Sequence, residues 1–128
     1  VGAMRIRRHK HDAALLPNGR VLVTGGADER DERGVYRSTE FFDPTTGTFS
    51  EGPSMTLGRY KHAGTSVLLP TGVVLVAGGA AQAETYDPGT SSFGLVAGDP
   101  RMAGQFSAVA GLGSGAVLIT GGYGNGTG

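Results

Sequence analysis

The sequence predicts an all-β chain built from repeated four-stranded antiparallel sheets. Three observations carry this. First, glycine supplies 24 of 128 residues, against an average of roughly 7%, and each interior glycine costs a helix about 1 kcal/mol relative to alanine. Second, dense aliphatic runs, Val21-Leu22-Val23-Thr24 and Val73-Val74-Leu75-Val76-Ala77, break up the glycine-rich sequence. Such uncharged runs suit strands buried on both faces and are scarce in disordered chains. Third, a block of sequence returns along the chain. The glycines show no three-residue period, which excludes a collagen-type helix.

The repeat has a well-defined core. Leu16-Pro17-Asn18-Gly19-Arg20-Val21-Leu22-Val23-Thr24-Gly25-Gly26 returns as Leu69-Pro70-Thr71-Gly72-Val73-Val74-Leu75-Val76-Ala77-Gly78-Gly79, a displacement of 53 residues. A third copy without the proline, Leu112 to Gly122, lies a further 43 residues on. Downstream, Glu40-Phe41-Phe42-Asp43-Pro44 with Phe49 recurs as Glu84-Thr85-Tyr86-Asp87-Pro88 with Phe93. Upstream, Arg8-x-x-His11 recurs as Arg59-x-x-His62, while Arg101 opens the third unit with Gly104 at the histidine position.

Each unit reads as four short strands. The first runs 11–16 and ends at Pro17-Asn18-Gly19, where Asn-Gly permits the positive φ of a tight hairpin. The second, 20–24, is ended by the glycine pair. The third, 38–42, is ended by Asp43-Pro44; there the Asp side chain bonds its own backbone and Pro fixes φ. The fourth, 48–51, follows Thr46-Gly47. The second unit repeats this as 62–69, 73–77, 82–86 and 91–96, and the third begins with 105–110 and 116–120. Periods of 43 and 53 residues lie near the length of one four-stranded propeller blade. Their difference lies in one loop: Gly25 to Asp43 spans 18 residues, whereas Gly78 to Asp87 spans 9.

These motifs resemble the kelch repeat. The glycine pairs Gly25-Gly26, Gly78-Gly79 and Gly121-Gly122, the aliphatic strand before each, and the Glu-x-aromatic-Asp-Pro run carry the likeness, in the style of bacterial kelch arrays and galactose-oxidase-like propellers. The usual kelch tryptophan is Phe49 and Phe93 here. The resemblance implies a kelch-type β-propeller, with blades at 8–55 and 56–98, a partial blade at 99–122, and tails at 1–7 and 123–128. An incomplete ring of about two and a half blades is therefore expected to be part of a larger propeller, since propellers need at least four blades. The alternative is a small unit whose copies assemble to close a ring.

Composition excludes several classes. Eleven basic and eleven acidic residues cancel, which removes the positive field on which nucleic-acid binding rests. The cluster Arg5, Arg7, Arg8 and Lys10 is too small and too terminal to restore it. The chain has no Cys, hence no disulfide, thiolate metal site or thiol nucleophile. The uncharged stretches 63–83 and 102–128 are interrupted by Pro, Gly, Ser, Asn and Gln and do not read as membrane helices. No apolar leader follows the basic N-terminal residues, and the sequence assigns no compartment.

Candidate functional residues divide into repeated and unrepeated ones. Arg8, Arg59 and Arg101 open successive units near the mouth of the implied central channel. A ring of arginines there would bind an acidic ligand through paired hydrogen bonds; alternatively, each arginine ties its blade to a neighbour. His11 and His62 recur too and read as structural hydrogen-bonding groups, because a metal would need ligands from separate blades and the third unit has none. The pair His9 and His11 shares one face of a strand at a terminal position. The glycine pairs are not phosphate loops, since no Lys-Ser/Thr follows them. The strongest unrepeated feature is the nine-residue insertion within 27–37, containing Asp28-Glu29-Arg30-Asp31-Glu32-Arg33. Insertions in repeat proteins map to loops, often on the binding face. Tyr60 and Lys61 are weaker candidates in the interblade loop, and Tyr123 follows the third glycine pair.

The expected function is a binding or scaffold module that presents its interblade and strand 2–3 loops to a protein or glycan. No catalytic residue, metal or cofactor is assigned, and neither nucleic acid nor membrane is an expected partner. The alternative is the scaffold part of a galactose-oxidase-like or sugar-epimerase-like enzyme. The copper site of the former needs a Cys–Tyr cross-link, which this chain cannot supply.

Overall fold

The computed structural model describes residues 2–97 and 105–123. It is all-β apart from one 3₁₀ turn, Asp31–Arg33. Sheet I consists of β1 (Asp12–Leu15), β2 (Val21–Thr24), β3 (Thr39–Asp43) and β4 (Thr48–Glu51). Sheet II consists of β5 (Ser66–Leu68), β6 (Val74–Val76), β7 (Glu84–Asp87) and β8 (Ser92–Leu95). Sheet III is the hairpin β9 (Gln105–Gly111) and β10 (Val117–Tyr123). Each sheet is an antiparallel meander in chain order. Consecutive sheets lie with their first strands adjacent, β1 beside β5 and β5 beside β9. Among the described residues the three sheets form an open array.

The glycine-rich hairpins do what the sequence predicts. Leu16, Leu69 and Leu112 each close their turn onto a glycine, with Leu carbonyls accepting from Gly19, Gly72 and Gly115 N–H at 2.9–3.0 Å. Those glycines have φ between 85° and 88°, a region that side chains rarely enter. The aliphatic strands then meet between the sheets. Ala14, Leu16, Leu22 and Phe41 of the first unit pack on Val74, Val76 and Tyr86 of the second, with Phe93 at the margin. Equivalent aromatic residues pair alike in both units. Phe42 and Phe49 rings lie 5.0 Å apart and Tyr86 and Phe93 rings 5.1 Å apart, both tilted at 45°. Phe41 and Tyr86 connect the two sheets at 6.1 Å, so aromatic contacts run through the interface and add to its area burial.

The first strand of the second unit is shorter than the expected 62–69. It begins only at Ser66 because the amides of Gly64, Thr65 and Ser66 all donate to the buried Asp12 carboxylate, at 3.0, 3.0 and 2.8 Å. Asp12 thus holds the second unit to the first. A second tie is a row of backbone bonds: Lys61 N–H donates to Lys10 O and Phe106 N–H to Lys61 O, both at 3.0 Å. Lys10, Lys61 and Phe106 share a left-handed backbone, with φ of 57°, 56° and 57°. They are therefore the same position in successive units.

This equivalence corrects the register of the third unit. Two residues before Lys10 and Lys61 stand Arg8 and Arg59, but two residues before Phe106 stands Gly104, and Ser107 takes the place of His11 and His62. The second unit carries two extra residues ahead of its glycine pair: Lys61 to Gly78 spans 17 residues, against 15 for Lys10 to Gly25 and for Phe106 to Gly121. Arg101 itself lies outside the described residues.

The second glycine of each pair is fixed by close approach. A Cβ on Gly79, whose φ is +79°, would sit 2.8 Å from Tyr60 O and 2.9 Å from His62 Cβ. Gly79→Ala is expected to lower unfolding free energy by about 3 kcal/mol or more. Gly94→Ala, which meets open space, is expected to change it by less than about 0.5 kcal/mol. Urea unfolding followed by far-ultraviolet circular dichroism measures both.

Candidate functional site

The repeated arginines are buried within their own units. Arg8 donates from Nε and Nη2 to Glu40 Oε2 at 3.2 and 2.9 Å, and from Nη1 to Gly25 O at 2.6 Å. Arg59 donates in the same way to Glu84 Oε2 at 3.1 and 2.8 Å and to Gly78 O at 2.8 Å. Each glutamate also accepts backbone N–H groups from just upstream of the arginine: Arg5 at 2.6 Å for Glu40, and Thr56 at 2.7 Å for Glu84. One clamp therefore joins the leading segment, the third strand and the first glycine of the pair. The leading residues of the first unit are held by this clamp and by Gly2 N–H on Gly47 O at 2.6 Å. With their N–H groups directed inward, Arg8 and Arg59 present no guanidinium to an acidic ligand.

His62 is equally internal. Its Nε2 lies 3.1 Å from Thr24 Oγ1 of the preceding unit. Burial pushes its pKa down from the ordinary 6.5 to about 4; the nearby Asp12 charge opposes this and Arg59 and His11 add to it. Burial lowers the His11 pKa as well, with Arg8 contributing.

The inserted loop stands at the end of sheet I away from the β1–β2 hairpin. Its base is pinned by paired backbone bonds between His9 and Ala27 at 3.1 and 2.9 Å, and by Tyr36 N–H on Gly26 O at 2.8 Å. Inside the loop, Asp28 N–H donates to Gly34 O and Gly34 N–H to Asp31 O, at 3.1 and 2.9 Å. Asp28 and Arg30 pair with each other at 2.5 Å, and the Arg30 hydrogen bonds hold the Asp28 carboxyl below its usual range. Asp31 turns back onto the first unit: Lys10 Nζ donates to its Oδ1 at 2.7 Å, and His9 Nε2 lies 3.4 Å away. The Lys10 bond is the largest influence lowering the Asp31 pKa, with the Lys61 charge a smaller one. Glu29, Glu32 and Arg33 are exposed and make no ion pair among the described residues.

Tyr60 is buried, and Lys61 is half-buried. The Lys61 ammonium lies 4.9 Å from the Tyr60 ring centroid and 5.6 Å from that of Phe106, within cation–π range. Phe106 itself is 60% exposed. The structure thus brings Asp31, Lys10, Lys61, Tyr60 and Phe106 to one end of the array and takes Arg8 and Arg59 out of it. Sequence reasoning had not singled out Lys10 or Phe106 as part of a site. The signal for Lys10 was present, because Lys10-His11 recurs as Lys61-His62. At the opposite end, Leu68, Pro70, Leu112 and Ala116 line an open apolar groove between sheets II and III. Among the described residues no group of three or more His, Asp or Glu side chains stands close enough to hold a metal ion. Comparison with protein-family models and with curated proteins gives no significant match.

The buried His62 predicts an acid-sensitive fold. Its folded pKa lies below the unfolded one, so its neutral form favours folding above about pH 6.5, and stability falls as pH drops toward 4. The loss attributable to it is about 3 kcal/mol across that window. Urea midpoints between pH 4 and 7 should therefore slope upward with pH, and His62→Gln should flatten that slope.

Proposed function

We propose that this chain is a run of kelch-type propeller blades serving as a protein-binding scaffold. Its partner-facing end carries the inserted loop of the first unit and the row Lys10, Lys61 and Phe106. Three features support the reading: successive four-stranded meanders with adjacent first strands, one Arg–Glu–glycine clamp in both complete units, and paired aromatics at the kelch tryptophan position.

The observation that carries the binding reading is how the charges are distributed. The repeated ones, Arg8, Glu40, Arg59 and Glu84, are buried and mutually satisfied. The unrepeated ones, Glu29, Arg30, Glu32 and Arg33, are displayed on an ordered loop. Repeated residues build the unit; displayed mixed charge selects a partner by complementarity and speeds its encounter. A loop already closed by its own backbone bonds loses little entropy on docking, which favours affinity.

Replacing 28–33 by a Gly/Ser segment of equal length tests this. Quantitative affinity capture should retain less than about one tenth of the wild-type partner signal while circular dichroism stays unchanged. Undiminished capture by the folded variant would reject the loop as the docking element.

A further inference from the structure

Lys10 and Lys61 occupy one structural position in consecutive units, yet their ammonium groups have different surroundings. Lys10 is met by the Asp31 carboxylate at 2.7 Å, delivered by the nine-residue insertion. The corresponding stretch of the second unit is only Ala80-Ala81-Gln82-Ala83 and carries no acid. Lys61 therefore makes no ion pair with a carboxylate among the described residues. Its ammonium lies near the Tyr60 and Phe106 rings. Ring faces attract the charge but leave the three N–H donors of the ammonium available.

We propose that Lys61, flanked by Tyr60 and Phe106, is a docking position for a glutamate or aspartate side chain of an acidic peptide, and that Asp31 on Lys10 is the molecule's own version of that contact. This deepens the proposed binding function and rests on it. The chemistry favours a carboxylate over a phosphate group. The arginine forks that would grip phosphate at two points are committed to Glu40 and Glu84, and Lys61 acts as a single point charge. Asp31 feels the charge of Lys61 as well as that of Lys10 but makes its hydrogen bond to Lys10. A peptide is favoured over an acidic sugar because the carboxylate that Lys10 binds is that of a polypeptide side chain, Asp31.

The test uses fluorescence polarisation with a labelled peptide, Gly-Leu-Glu-Glu-Leu-Gly, its Gln-Gln counterpart, and unlabelled tetragalacturonate as competitor. The glutamate peptide should bind at low salt and the glutamine peptide at least about tenfold more weakly. Lys61→Met should weaken glutamate-peptide binding about tenfold, Lys61→Arg should stay within about threefold of wild type, and Asp31→Asn, which uncovers Lys10, should strengthen it. Equal binding of the two peptides, no binding of either, or an unaltered Lys61→Met variant would overturn the assignment. So would Lys61-dependent displacement by tetragalacturonate at concentrations below those of the peptide, which would make the ligand a uronate. If the Gly/Ser loop variant loses its partner while Lys61→Met changes nothing, the loop reading stands and this one fails.

Discussion

The fold depends on a buried ion pair that each complete unit forms with itself. Arg8 with Glu40, and Arg59 with Glu84, lie in the interior with side chains essentially out of water. Such a pair is tolerable only when every remaining donor and acceptor is met, because desolvation costs several kcal/mol per ion. Here the first glycine carbonyl takes one guanidinium N–H, and upstream amides take the carboxylate. Leading segment, second-strand terminus and third strand are thereby fixed to one another at a single point. A short sheet with little apolar area per strand gains from this a register that its aliphatic residues alone would not specify.

The end of the array that carries the inserted loop inherits its geometry from that clamp. Two residues after the clamped arginine, the chain turns left-handed at Lys10 and again at Lys61, which aims each lysine outward. The carbonyl of one lysine position accepts the amide of the next, so the row advances by one unit at a time. The insertion after Gly26 can vary without disturbing this, because its base is pinned to His9 and to the second glycine. Repeated and unrepeated charges therefore lie in different places: the repeated ones are buried and mutually paired, and most of the unrepeated ones are exposed on the loop.

Much of the fold was legible in the sequence. The Leu-Pro-x-Gly turns, the aliphatic strands, the glycine pairs and the Asp-Pro turns lie where the repeat places them, since each depends on local backbone chemistry. What was not legible depended on pairing across the unit. Glu40 and Glu84 stood in the motif without an assigned partner, because nothing in a linear pattern says that an arginine some 25 to 32 residues earlier will fold onto them. The extra Ala63-Gly64 lengthens the second unit ahead of its glycine pair, and only the left-handed positions Lys10, Lys61 and Phe106 reveal the register of the units. The charged loop was recognised as an insertion, but its return onto Lys10 came from Asp31 entering a left-handed conformation, which composition does not announce.

The most direct test of the clamp is a double-mutant cycle on Arg59→Met and Glu84→Leu, read as unfolding free energy in urea. Removing either partner alone strands a buried charge, and each single variant should lose about 3–5 kcal/mol. The double variant, with both charges gone, should lose far less than the sum, giving a coupling energy of at least about 2 kcal/mol. Single losses under about 0.5 kcal/mol that add without coupling would contradict a fold organised around the buried pair.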